Sequence, residues 1–90
     1  MKKAIITVLG DDKVGIIARV CTLLAEHDVN ILDISQTILH GFFHMVMVVD
    51  VENTDVGLDE LFGALEELGR SMDLQIHGQS EEIFQMMHRI

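Results

Sequence analysis

The stretch with the clearest capacity for chemistry is Leu9-Gly10-Asp11-Asp12-Lys13-Val14-Gly15-Ile16, where a β-rich run ends and an apolar helical pattern begins. Gly10 permits a positive φ or a close approach of another group, Asp11 or Asp12 can cap the following helix, and Gly15 bares backbone near the helix start. A helix N-terminus offers N–H groups without intrahelical acceptors and a partial positive charge, so this corner can receive the carboxylate or phosphate of a small ligand. The same residues also make an ordinary strand-to-helix turn. Spacing alone does not separate the two readings.

Other reactive side chains are scattered. His27, His40, His44, His77 and His88 show no paired spacing on one helix, so they read as ordinary surface histidines rather than as metal ligands. Asp11 and Asp12 could in principle hold a divalent cation, but adjacent residues on a strand or turn usually point apart. Cys21, the only cysteine, lies within an apolar helical pattern and reads as a buried free thiol; a single cysteine excludes an intramolecular disulfide and any Cys-x-x-Cys site. No nucleophile and base can be paired from spacing. We therefore assign no catalytic residue, no metal site and no cofactor.

Composition narrows the partners. Ninety residues suit one domain, and a chain this short buries only roughly 60–65% of its unfolded surface, so association would help to stabilise it. The hydrophobic fraction is 49% and mean hydropathy +0.34, yet no apolar run approaches the ~20 residues of a membrane span. The surplus suits a core plus an interface. Fifteen Asp and Glu against six Lys and Arg give a net charge of −9, which repels nucleic acid and anionic membranes alike. Met1-Lys2-Lys3 leads into a short apolar run without a cleavage-site pattern, so we expect a first strand, no signal peptide and a reducing cytoplasm.

The elements that must position the glycine corner follow from periodicity. Ala4 to Leu9 is β-branched and short, a first strand ended by Gly10. From Val14 to about His27, Ile17, Val20, Cys21 and Leu24 recur at helical spacing, flanked by Ile16 and Leu23. Asp28-Val29-Asn30 reads as a tight connection, and Ile31 to Leu39 as a strand whose imperfect alternation a bulge near Asp33 would reconcile. His40-Gly41 forms a hairpin tip before Phe42 to Val51, which is apolar on both faces and so should be central. The polar loop Glu52 to Asp55 should supply an N-cap for a second helix carrying Leu58, Leu61, Phe62, Leu65, Leu68 and Met72, with Gly69 near its end. Asp73 to Gln79 alternates as an edge strand.

Ser80 can cap a short last helix with Glu81 and Glu82 in its first turn, His88 and Arg89 in its last, and Ile83, Phe84, Met87 and Ile90 on one side. We expect it to cover the open sheet face or to dock on another subunit. The order β-α-β-β-α-β predicts an α+β, ferredoxin-like sandwich: a four-stranded antiparallel sheet with two helices on one face, spanning residues 1–79, plus the C-terminal helical extension 80–90. RNA-binding domains share this order, but they need exposed aromatics and basic surroundings, and this chain has no Tyr or Trp.

The run Ile5 to Val20, with Asp12-x-x-Gly15 after the first strand, followed by Leu24 to Ile34 with Asn30-Ile31 opening the second, resembles the ACT domain. ACT domains are small-molecule-sensing modules attached to many enzymes of amino-acid metabolism. The chain looks most like the short stand-alone single-ACT proteins of bacteria and archaea, and its first half is similar to the ACT segments of the glycine cleavage repressor and formyltetrahydrofolate deformylase. The resemblance implies a homodimer, often a continuous eight-stranded sheet, that binds an amino acid where the first loop of one subunit faces the second strand of its partner. On this chain the site would comprise Gly10, Asp11, Asp12, Val14, Gly15 and Ile16, with Asn30, Ile31 and Asp33 across the interface. A regulated enzyme would be the natural recipient of the signal. The alternative is an interaction module without a small-molecule ligand.

Overall fold

The computed structural model describes residues 1–87. Seven elements follow one another: β1 (Lys3–Asp11), α1 (Ile16–Glu26), β2 (Asn30–Leu39), β3 (Phe42–Asp50), α2 (Leu58–Ser71), β4 (Leu74–Ser80) and α3 (Glu81–Met87). The strands form one sheet in the order β2-β3-β1-β4, and each neighbouring pair is antiparallel. This is the ferredoxin-like sandwich the element order predicts, with β3 and β1 central. The bulge falls where broken alternation pointed: the β2–β3 register shifts between Ile31 and Asp33. One extra residue there keeps Ile34 and Ile38 in phase with core-facing Met47 and Phe43.

The core lies between the sheet and the α1–α2 layer. Ala4, Ile6 and Val8 of β1, Phe43, Met45, Met47 and Val49 of β3, and Leu74 and Ile76 of β4 supply the sheet side, closed by Ile16, Val20 and Leu24 of α1 and Leu61 and Leu65 of α2. α1 buries Ile16, Val20 and Leu24, spaced i, i+4, i+8, while Ile17 turns outward. The stripe is thus centred one residue earlier than expected. The reason lies at the start of the helix: Gly15 has φ +90, so α1 begins at Ile16 rather than at Val14.

Glycines set the α2–β4 packing. A Cβ on Gly69 would stand 2.7 Å from the Leu74 carbonyl oxygen, and one on Gly78 would stand 2.3 Å from the Phe62 ring. Gly69 lies in the last turn of α2, near its end as expected, with Met72 as the C-cap, and it is where helix and strand approach closely. Ser80 does cap α3, its Oγ accepting from the Ile83 N–H at 3.3 Å. α3 packs against β1 and β4, Phe84 is half-buried, and Ile83 remains exposed. The expected contributions of His88, Arg89 and Ile90 lie outside the described residues.

Candidate functional site

The β1–α1 corner is held from two sides. The Asp12 N–H donates to the Gly41 carbonyl at 2.7 Å, tying the corner to the β2–β3 hairpin tip. On the other side Lys13 Nζ donates to the carbonyl of Met72, the C-cap of α2. A cation at a helix C-terminus satisfies an otherwise orphaned carbonyl and complements the helix dipole. Nothing in the local sequence reveals this contact, because its partner is 59 residues away. It also means that the one cation of the corner is already engaged.

Neither Asp11 nor Asp12 caps α1, contrary to expectation. The N-cap is Gly15, and no side chain accepts from the first turn of the helix. A left-handed glycine carries the chain past both carboxylates, which stay exposed. Likewise α2 starts from Gly57 without a side-chain cap; the polar loop before it supplies only a contact of Thr54 Oγ1 with the Val56 N–H at 3.5 Å. The uncapped first turn of α1 leaves N–H donors available at the surface. Val14 is 100% exposed beside them, whereas the Ile16 side chain is in the core at 2%, so Ile16 can offer only backbone.

Asn30, Ile31 and Asp33 sit elsewhere. Asn30 pairs with Asp50, which pairs with Lys3, while Asp11 pairs with Phe42, which pairs with Leu39. The two sets therefore occupy opposite ends of the sheet, separated by the length of nine-residue β3, roughly 26 Å at ~3.3 Å per residue. Asn30 and Asp33 are exposed on β2, and Asn30 lines a polar groove with Asp28, Val29 and Asn53. Ile31 is half-buried and packs on the core. One subunit brings Gly10, Asp11, Asp12, Val14 and Gly15 together at one end and the Asn30 group at the other.

A cleft of about 300 Å³ adjoins the corner on its β4 side, lined by Leu9, Gly10, Asp11, Phe42, Asp73, Leu74 and Gln75. Gly10 sits close against β4: a Cβ would stand 2.6 Å from Leu74 Cδ2 and 3.4 Å from the Asp73 carbonyl oxygen, so the corner rests directly on the α2–β4 turn. His27 Nδ1 and Asp55 Oδ1 lie 2.9 Å apart, joining the C-terminal end of α1 to the loop before α2 at the end of the sheet remote from the corner. Cys21 is half-buried against the core, and burial pushes its thiol pKa up, away from nucleophilic reactivity. Among the described residues, no three His, Cys, Asp or Glu side chains converge on a metal position, and no helix is long and apolar enough to cross a membrane.

Comparison with known proteins agrees with this architecture. A family model described as the ACT domain matches residues 2–79. A UPF0237 protein of Bifidobacterium longum is 58% identical over 90 residues, covering all of both chains. Among solved structures, an ACT domain protein from Streptococcus pneumoniae is 42% identical, with a TM-score of 0.81 over 93% of this chain and 94% of that one. A formyltetrahydrofolate deformylase from Pseudomonas syringae shares the fold at 22% identity and TM-score 0.82, over 89% of this chain and 28% of its own. A putative glycine cleavage system transcriptional repressor does so at 23% and 0.75, over 88% and 45%.

Proposed function

The chain belongs to the ACT domain family, and from that premise we propose that it is a homodimeric regulatory module binding an amino-acid-like small molecule between subunits. The observation that carries this reading is the separation of the two half-sites. A two-fold axis that pairs β2 with its copy antiparallel sends the Asn30 end of one strand to the Leu39 end of the other, beside the glycine corner. The uncapped N–H groups at the start of α1 suit a carboxylate, and Asp11, Asp12 and the partner's Asn30 suit an ammonium. With Lys13 held by Met72, the carboxylate is met by backbone donors rather than by a side-chain cation. Signalling runs through the dimer contact or through an enzyme bound to it.

A thermal-shift screen with individual amino acids tests this. A ligand at a hundredfold excess over Kd should add about 2.7 kcal/mol of stability. Gly15→Asp, which puts a carboxylate where the ligand's own would sit, should abolish that shift. If no amino acid shifts the melt while the protein remains a dimer, the exposed apolar edge of β2 favours the second reading, an assembly module without a small-molecule ligand.

A further inference from the structure

The cleft on the β4 side of the glycine corner has walls of two kinds. Leu9, Phe42 and Leu74 are apolar, and Asp11, Asp73 and Gln75 are polar, around a volume of about 300 Å³. Strand register accounts for the mixture. Asp11 stands opposite Phe42 in the β1–β3 ladder, so its carboxylate and the 50% exposed ring leave the sheet on one face, with Leu9 two residues back on the same face. On the other side of β1, Leu9 pairs with Gln75 and Gly10 with Leu74. The next step would set Asp11 against Asp73, and there the ladder stops, with Asp73 at φ +57.

Two carboxylates therefore share one cleft. Among the described residues neither has a hydrogen-bond or ion-pair partner. Lys13 does not neutralise them: its Nζ donates to the carbonyl of Met72, the residue before Asp73. Adjacent like charges are unfavourable until a cation stands between them. No third His, Cys, Asp or Glu among the described residues joins the pair to make a metal position, and Leu9 and Leu74 offer no oxygen ligand to a hard cation. These walls suit an aliphatic stem instead, and the Phe42 ring adds a face for its charged end.

We propose that this cleft takes the side chain of the bound amino acid and selects a basic one, an aliphatic chain ending in an ammonium or guanidinium. The cleft includes Gly10 and Asp11 of the corner, so a ligand whose carboxylate meets the start of α1 has the cleft beside it. Asp12 and the partner's Asn30 then serve the α-ammonium, and Asp11 with Asp73 the distal charge. An acidic side chain meets two carboxylates and is repelled; a neutral one leaves both unmatched. The corner presents no free cation to reverse this preference, since Lys13 is engaged. This inference rests on the reading of the corner as an amino-acid site and names the class of amino acid it takes.

Probes that differ by one group separate the two readings. Norleucine is lysine without the distal ammonium, and cadaverine is lysine without the carboxylate. In titration calorimetry, lysine should bind roughly tenfold or more tightly than norleucine, because the missing ammonium leaves the carboxylates of the cleft unmatched. Asp73→Asn keeps the size of the residue and its tolerance of a positive φ, and it should remove that preference. Asp59→Asn makes the same charge change at an exposed position of α2 outside the cleft and should leave the preference intact. Equal binding of lysine and norleucine, or a lysine preference that survives Asp73→Asn, overturns the cleft assignment while the amino-acid reading stands. Cadaverine binding that Asp73→Asn weakens, with no amino acid bound, supports the cation cleft and overturns the amino-acid reading. No binding of lysine, arginine or cadaverine overturns the proposal.

Discussion

The two edges of the sheet are finished in different ways. β4 ends within the chain's own packing: Gly69 lets α2 approach the Leu74 carbonyl, Gly78 admits the Phe62 ring, and α3 follows Ser80 without a linker and lies against β1 and β4. Among the described residues β2 has no such cover; every residue from Leu32 to Leu39 is exposed, isoleucines included. β4 is therefore packed against α2 and α3 through contacts that small residues permit. The β2 edge is the one the proposed dimer would use. The candidate site follows this asymmetry, because its two halves share one end of a sheet only when the open edge is paired.

Four sets of substitutions probe the contrast. The largest effect is expected at the open edge: Ile34→Asp with Ile38→Asp buries four carboxylates per dimer and should raise the dissociation constant by about a thousandfold or more, measured by analytical ultracentrifugation, while the monomer stays folded. On the β4 side, where α2 packs, Gly69→Ala or Gly78→Ala should lower stability by about 2–3 kcal/mol in urea denaturation, with the β2 surface unchanged. Lys13→Met removes the tie between the corner and α2, costing about 1–2 kcal/mol, and should speed hydrogen exchange at the Asp12 and Arg19 amides, whose acceptors are the Gly41 and Gly15 carbonyls. Gln75→Lys, at an exposed position of β4, should change neither association nor stability by more than about 0.5 kcal/mol. An equal loss of dimer from Gln75→Lys and from a single Gln36→Lys would erase the difference between the edges.

Much of the fold was legible in the residue pattern. Period-2 and period-3.6 runs gave the seven elements, and the adjacent apolar Ile31 and Leu32 marked the bulge before it could be seen as a register shift. Central placement of β3 followed from its two apolar faces. Helix starts were less legible, since both Asp11-Asp12 and the loop before α2 offered good capping side chains that the backbone bypasses through Gly15 and Gly57. Lys13 is the corner's only basic residue, but its engagement with Met72 depends on how α2 ends against the corner, which is long-range information.

The most direct measurement of a site shared between subunits is complementation by defective halves. Gly15→Asp disables the corner and Asn30→Ala disables the partner strand, so each homodimer should lose the thermal shift given by an amino acid that stabilises wild type. After subunit exchange, half of the dimers in an equimolar mixture carry both chains, and each of these holds one site built from two unaltered halves. Ligand capacity should therefore return to about a quarter of the wild-type value in titration calorimetry. Exchange verified by mass spectrometry with no return of binding would contradict the shared site.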